Sequence, residues 1–248
     1  MRNRKKKNGG NRLENLSALI LNDGDISPET GSLFDKERPL RLEIGCGKGD
    51  FIAGISLREP DYNYIAVERI SDVALAAVEK YAEGRGLGTL DHHGGWRGPD
   101  GTVYKGERWE IPADQRGNVR FYIGDAARFL EIAPKGRFDR IYANFSDPWP
   151  KSRHEIRRLT HPGFLKKYSE LLAPGGELRI KTDNDGLFEY TLESLTSSGW
   201  SVLFSTRDLH SDDTDRSIRE SNVVTEYEKR FTEQGVNIKA VFAAPPVV

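Results

Sequence analysis

The sequence predicts an α/β fold built on a doubly wound, mostly parallel sheet. Three features predict it. Short apolar runs alternate with amphipathic stretches from Leu40 onward. A glycine-rich turn, Gly45-Cys46-Gly47-Lys48-Gly49, separates the first run from the first amphipathic stretch. Acids stand at the ends of the next runs, at Glu68 and Asp125. Strands that alternate with helices in this way form parallel sheets covered by helices on both faces.

Each element has its own signal. Residues 40–44 read as a buried strand, and 50–58 as a helix with Phe51, Ile52 and Ile55 on one side. Residues 64–67 form the second strand. Residues 71–82 form a helix with Ser71 as the expected N-cap, because a serine hydroxyl satisfies an orphan amide of the first turn. Strands follow at 119–123 and 138–143. A helix over 162–172 is closed by Pro174-Gly175-Gly176, and a fifth strand covers 177–181. A helix at 187–197 leads to strands at 200–204 and 237–242. No internal repeat is present.

Residues 84–117 break this rhythm. They hold nine of the 25 glycines and two of the four tryptophans, Trp96 and Trp109, so the segment reads as an inserted surface excursion. Pro99-Asp100-Gly101 is a turn signal, which makes a hairpin the expected form. His92 and His93 are adjacent but lack cysteines or a carboxylate cluster at ligand spacing, so no metal is expected. The domain reading is a basic N-terminal extension over 1–39, then one domain over 40–248 interrupted at about 84–117.

Composition narrows the class. The chain has 248 residues, 37% of them hydrophobic, which suits one large domain with a real core. No apolar run is long enough for a membrane span, and the N-terminus lacks the apolar stretch of a signal peptide. The single cysteine, Cys46, permits no intrachain disulfide and points to a reducing cytoplasm. Net charge is only -1, yet it is unevenly spread. Arg2, Arg4, Lys5, Lys6, Lys7 and Arg12 give the first twelve residues a charge of +6. Residues 151–167 carry +5, from Lys151, Arg153, Arg157, Arg158, Lys166 and Lys167 against Glu155. Two basic patches on an acidic body would steer a polyanion, although a solvated tail explains the first equally well.

The glycines at 45, 47 and 49 let the backbone turn sharply and approach a ligand at the crevice where open α/β sheets bind nucleotides. Glu68 lies at the offset where an acid accepts hydrogen bonds from ribose hydroxyls. Asp125 follows the third strand in the same manner. An ordinary βα turn and ordinary helix caps account for any one of these; all together favour a cofactor site. Spacing alone does not separate a nicotinamide dinucleotide from S-adenosylmethionine. Glu43, placed just before the turn, favours the latter: an acid is ill suited to a pyrophosphate and well suited to a sulfonium and an ammonium.

The most specific stretch is Asn144-Phe145-Ser146-Asp147-Pro148-Trp149-Pro150-Lys151-Ser152-Arg153-His154. Two prolines stiffen a loop that presents a carboxylate. On these motifs the sequence resembles the bacterial tRNA (guanine-N7)-methyltransferases, the TrmB family. The resemblance covers 40–242 apart from the insertion. It is carried by L-E-I-G-C-G-K-G from Leu42, A-V-E from Ala66, G-D-A from Gly124 and F-S-D-P-W-P-K-S-R-H from Phe145. R-R-L from Arg157, K-T-D-N from Lys181, D-L-H from Asp208 and T-E-Y-E from Thr225 extend it, as does the basic start M-R-N-R-K-K-K. A second expansion near 212–220 departs from the family pattern, as the insertion does.

The resemblance implies a class I S-adenosylmethionine-dependent, Rossmann-like fold with a seven-stranded sheet and an antiparallel last strand. It implies methyl transfer from S-adenosyl-L-methionine to N7 of a variable-loop guanine in tRNA, by a cytoplasmic monomer or homodimer. Glu43, Glu68, Asp125 and Asp147 fall at the family's donor positions, with Gly45, Gly47 and Gly49 in the donor turn. Asp147 also falls at its catalytic acid. Lys151, Asp183 and Thr225, Glu226, Tyr227 and Glu228 match substrate positions, and Arg153, His154, Arg157 and Arg158 an RNA-contacting stretch. Read without the resemblance, Thr225 and Glu228 make a helix capping box, and Val223, Tyr227 and Phe231 a packed face. Trp149 is equally suited to stacking on a base or buttressing its loop. Three rivals stand beside this reading: a methyltransferase acting on an exocyclic amine, a tRNA-binding protein without catalysis, and a nicotinamide dehydrogenase.

Overall fold

The computed structural model describes residues 8–26 and 33–246. The cations at positions 2 and 4–7 lie outside the described residues. In chain order the first half contains α1 (Gly9–Asn15), β1 (Ile20–Leu21), β2 (Leu40–Ile44), α2 (Asp50–Arg58), β3 (Asn63–Glu68) and α3 (Ser71–Gly84). Three short strands follow, β4 (Thr89–Leu90), β5 (Trp96–Arg97) and β6 (Val103–Tyr104), then β7 (Val119–Ile123) and α4 (Ala126–Ile132). The second half contains β8 (Phe138–Asn144), α5 (Pro162–Leu171), β9 (Leu172–Thr182), α6 (Asp185–Ser197) and β10 (Ser201–Thr206). It ends with α7 (Arg216–Ser221), α8 (Glu226–Glu233) and β11 (Lys239–Ala244).

The helices begin where side chains replace missing backbone partners. Asp125 caps α4 by accepting the Ala127 amide at 2.8 Å. Asn184 caps α6 through the Leu187 amide at 2.8 Å, and Asp215 caps α7 through Ser217. Pro162 opens α5 at its first position, where its missing N–H costs nothing. Ser71, the expected cap of α3, is instead its first helical residue; Ile70 holds the cap position. Glu68 takes the Ile70 amide at 2.8 Å, and this contact advances the helix start by one residue.

The chain divides into two compact units. The first holds the residues up to Leu40 and Gly45–Pro134. Its strands run in the order β1-β7-β3, all parallel. Tyr64, Ile65, Val67, Leu75, Val78, Phe121 and Phe129 fill its core, each at most 1% exposed. The second unit holds Arg41–Ile44 and Lys135–Val248. Its strands run β2-β8-β9-β11-β10, with β8 and β9 parallel. The expected antiparallel last strand is β11, antiparallel to both β9 and β10. Leu42, Ile44, Ile141, Leu178, Ile180, Leu187 and Val241 are its buried apolar residues. The parallel strands joined through helices bear out the α/β expectation. The two runs hold eight strands rather than seven, the extra one being the two-residue β1.

The excursion over 84–117 folds as a small antiparallel sheet in the order β4-β5-β6, with the predicted Pro99-Asp100-Gly101 turn between β5 and β6. It is more than the simple hairpin expected, because the N-terminal helix is fastened to it. Asn15, 0% exposed, donates to the Tyr104 carbonyl at 3.1 Å and accepts the Gly106 amide at 2.8 Å. Arg12 makes a two-pronged bond to Glu79 on α3, at 2.8 and 2.7 Å. Trp96 is buried and donates to the Leu87 carbonyl at 2.9 Å.

Replacing Asn15 with Ala strands the Gly106 amide and removes the side-chain bond to the Tyr104 carbonyl. The variant is expected to lose about 1–3 kcal/mol in thermal or denaturant unfolding. Limited proteolysis should then cut first between residues 88 and 107; wild-type protection of that segment would contradict the assignment.

Candidate active site

In the first unit the glycine turn and the strand-two acid come together. The Gly45 and Cys46 amides both donate to the Val67 carbonyl, at 2.8 and 3.0 Å. The Gly47 amide donates to one Glu68 oxygen at 3.1 Å, while Ile70 uses the other. Gly45 and Gly47 have φ of 75° and 58°, and a Cβ on either would meet nothing within 4 Å. Bare backbone therefore faces open space beside a carboxylate, which is the surface a nucleoside-bearing ligand needs. Gly49 serves packing instead: at φ 82° its Cβ would lie 2.7 Å from the Ala77 backbone. Asp125 is exposed and caps α4.

In the second unit the sites lie on one polar face of the strands. Alternation places Arg140, Tyr142 and Asn144 on one side of β8, in register with Glu177, Arg179 and Lys181 of β9. Glu43, 2% exposed on β2, accepts from Asn144 at 3.3 Å. Lys181, opposite Asn144, is 5% exposed. Its ammonium donates to Glu228 at 2.6 Å, to Asn222 at 2.9 Å and to the Val223 carbonyl at 3.0 Å. Glu228 is 0% exposed and also takes Asn222 at 2.7 Å, with His210 Nε2 at 3.0 Å from the same oxygen. Burial pulls the Lys181 ammonium below the ordinary lysine value, and Glu228 opposes that pull. Burial alone would raise Glu228, but bonds from His210, Lys181 and Asn222, with the Lys181 charge, hold it below its ordinary value.

Asp147 rises from this platform on an exposed loop. It is flanked by two non-glycine residues with positive φ, Phe145 at 51° and Trp149 at 42°. The Phe145 amide donates to the Lys181 carbonyl at 2.8 Å, and its ring lies 4.9 Å from that of Tyr227. Arg158 fastens the far end, donating to the Pro148 carbonyl at 3.1 Å and the Trp149 carbonyl at 3.1 Å, with Tyr190 beneath it. Arg157 lies 4.9 Å over the Trp149 ring and His154 meets its edge at 5.6 Å. Lys151, Arg153 and Arg157 remain exposed.

Asp183 and Tyr227 complete the neighbourhood, with the Tyr227 hydroxyl 3.4 Å from Asp183. Burial, then the charges of Asp183 and Asp147, raise the Tyr227 phenol above its ordinary value. Thr225 caps α8 through the Glu228 amide at 3.1 Å, half of the expected capping box. The other half is missing because the Glu228 carboxylate is engaged with Lys181, Asn222 and His210. Of the four residues 225–228, Glu226 and Tyr227 are exposed, while Thr225 and Glu228 are buried with internal partners.

Comparison with known proteins decides the family. Residues 37–241 match the family described as "Putative methyltransferase". The tRNA (guanine-N(7)-)-methyltransferase of Bacillus subtilis (strain 168) is 36% identical over 222 residues, 90% of this chain and 88% of that protein. The enzyme of the same name from Lactococcus lactis subsp. cremoris (strain MG1363) is 36% identical over 236 residues, 95% of this chain and 94% of its own. The chain belongs to the tRNA (guanine-N7)-methyltransferase family. Solved structures agree on the fold. An antibiotic-related methyltransferase covers 95% of this chain and 99% of its own, with TM-score 0.54 and 16% identity. The 16S rRNA methyltransferase KamB covers 87% and 90%, with TM-score 0.51 and 11% identity. Among the described residues no helix is long and apolar enough to cross a membrane.

Sequence reasoning passed over Lys181, His210, Asn222 and Phe145 as site residues. One signal was available: a lysine alternating with Leu178 and Ile180 on a strand buried along most of its length. Asn222 gave none, since the chain bends it back through the expansion near 212–220.

For this family member the Glu228 contribution should depend on pH. Its folded value lies below the ordinary 4.5, so the stability it supplies is complete above 4.5 and lost as pH falls through the folded value. At neutral pH Glu228→Gln should lower stability by about 3–5 kcal/mol, because it strands a buried ammonium. Denaturant melts should show the gap to wild type closing well below pH 4.5; a constant gap would show that the carboxylate charge is not involved.

Proposed function

We propose that this protein transfers a methyl group from S-adenosyl-L-methionine to N7 of a variable-loop guanine in tRNA. The shared name of relatives aligned over nearly the whole chain supports the reaction. The observation that carries the residue roles is Asp147, exposed between two strained positions on a loop held at both ends. Strain of this kind persists only where the surrounding structure enforces it, and it clusters at active sites.

Donor binding in the first unit falls to Gly45, Gly47 and Glu68, with Asp125 contributing its second carboxylate oxygen. The Gly45 and Gly47 positions leave room for the nucleoside, and Glu68 accepts from ribose hydroxyls. Glu43 offers negative charge suited to the donor's ammonium. When bound, the donor supplies a methyl group already activated by its sulfonium. Guanine N7 has an in-plane lone pair, so no base is needed to deprotonate the nucleophile. Alignment is the main task of the protein. Asp147 accepts hydrogen bonds from guanine N1–H and the exocyclic amine. It thereby orients the ring and stabilises the positive charge that grows on the purine. Asp183 and Tyr227 border the same base. Lys151, Arg153 and Arg157 grip phosphates beside it, and His154 steadies Trp149. Arg158 keeps the loop in shape. Residues 40–248 form the methyltransferase domain, with 84–117 an insertion and 1–39 a basic extension.

Incubation with labelled donor and unmodified tRNA, followed by nucleoside analysis, tests the reaction directly. The expected product is 7-methylguanosine; a methylated exocyclic amine, or tRNA binding without label transfer, would reject the reading. Asp147→Asn should lower kcat by about 100- to 1,000-fold with tRNA affinity nearly unchanged. Wild-type turnover from that variant would remove Asp147 from the mechanism. Binding should weaken steeply with salt. Alanine at Lys151, Arg153 or Arg157 should reduce the log–log salt slope by about 1 each. Arg158→Ala should instead act mainly on kcat, through the loop.

A further inference from the structure

Glu228 is the last residue of the T-E-Y-E segment, yet its side chain is 0% exposed and held by a lysine, an asparagine and a histidine. A carboxylate so enclosed does not reach a nucleic acid. What it reaches is Lys181, and Lys181 touches the reactive loop twice. Its carbonyl accepts the Phe145 amide at 2.8 Å, and its ammonium lies 5.5 Å from the centre of the Phe145 ring. Phe145 is the residue whose left-handed φ of 51° turns the chain toward Asp147. On its other side Phe145 rests on Tyr227, one residue before Glu228 on α8. The same ammonium also feels the charge of Glu43, the carboxylate assigned to the donor. In register across β8 and β9, Asn144 joins the two: it donates to Glu43 and sits opposite Lys181.

We propose that Lys181, locked by Glu228, His210 and Asn222, is a positioning residue that sets the Phe145–Trp149 loop and so places Asp147. This rests on the methyl-transfer reading above and assigns Glu228 a role through Lys181 rather than a contact with tRNA. A left-handed phenylalanine is unfavourable by itself, so something must hold it. A fixed cation against its ring face and a carbonyl on its amide supply two such holds. Without the cation the loop relaxes, and a shift of about 1 Å in a reacting group is enough to cost roughly 100-fold in rate.

The test must separate positioning from the stability that any buried ion pair influences. Lys181→Met and Glu228→Gln each strand one charge and should lower Tm. The double variant removes both charges and should recover most of that Tm. Positioning predicts that the double variant still turns over about 10- to 100-fold more slowly, with KM for tRNA nearly unchanged. Recovery of kcat together with Tm would reduce the pair to a structural element and overturn the proposal. A defect confined to KM would overturn it too, in favour of direct tRNA contact. Phe145→Leu provides a second route that leaves the ion pair in place: kcat should fall with Tm nearly unchanged, and wild-type kcat would refute the loop role. Amide exchange over residues 145–149 should speed up in the double variant, and unchanged exchange would refute the proposal without reference to activity. Wild-type protein assayed in parallel isolates the other failure, since absence of 7-methylguanosine there rejects the functional reading alone.

Discussion

A carboxylate with no access to water dictates much of the second unit. Removing a charge from solvent costs several kcal/mol unless partners surround it on every side. Glu228 therefore requires a cation and donors on both oxygens, and the chain supplies them from well-separated places. Lys181 comes from the end of β9, His210 from the stretch after β10, and Asn222 from the end of α7. The D-L-H turn, the expansion near 212–220 and the start of α8 converge here because one oxygen pair has to be satisfied. The apolar cluster of Leu209, Ile238 and Ala240, with Phe145, Phe231 and Phe242 against it, packs around the same point.

Local chemistry explains what was legible in the sequence. The Gly45–Gly49 turn, the strand-tip Glu68, the Asp125 cap and the Thr225 cap are all encoded within a few residues, and each stands where expected. Strand positions followed from apolar alternation for the same reason. Boundaries slipped where a distant group decided them: Glu68 moved the start of α3, and β9 begins at Leu172, before the glycines taken as a turn. The partners of Glu228 were not legible. Nothing near Thr225 in the sequence says that its helix buries an acid against a lysine some 47 residues earlier.

Family motifs and physical roles overlap without coinciding. Within residues 225–228 the exposed pair faces outward, and the buried pair holds the helix and its lysine in place. Within residues 153–158, Arg153 and Arg157 are exposed, whereas Arg158 is spent on loop carbonyls. A short motif thus mixes exposed groups with groups spent on bonds inside the protein. Burial and hydrogen bonding separate them; residue type does not.

Asn15 has a consequence beyond fastening a helix. β6 is an outer strand of the small sheet and ends at Tyr104. The side-chain amide of Asn15 takes the Tyr104 carbonyl at that end and the Gly106 amide just beyond it. One asparagine thus fixes the way the chain leaves the small sheet. Loss of α1 would release that exit, so clipping near the N-terminus should show itself first as loosening of the segment after β6.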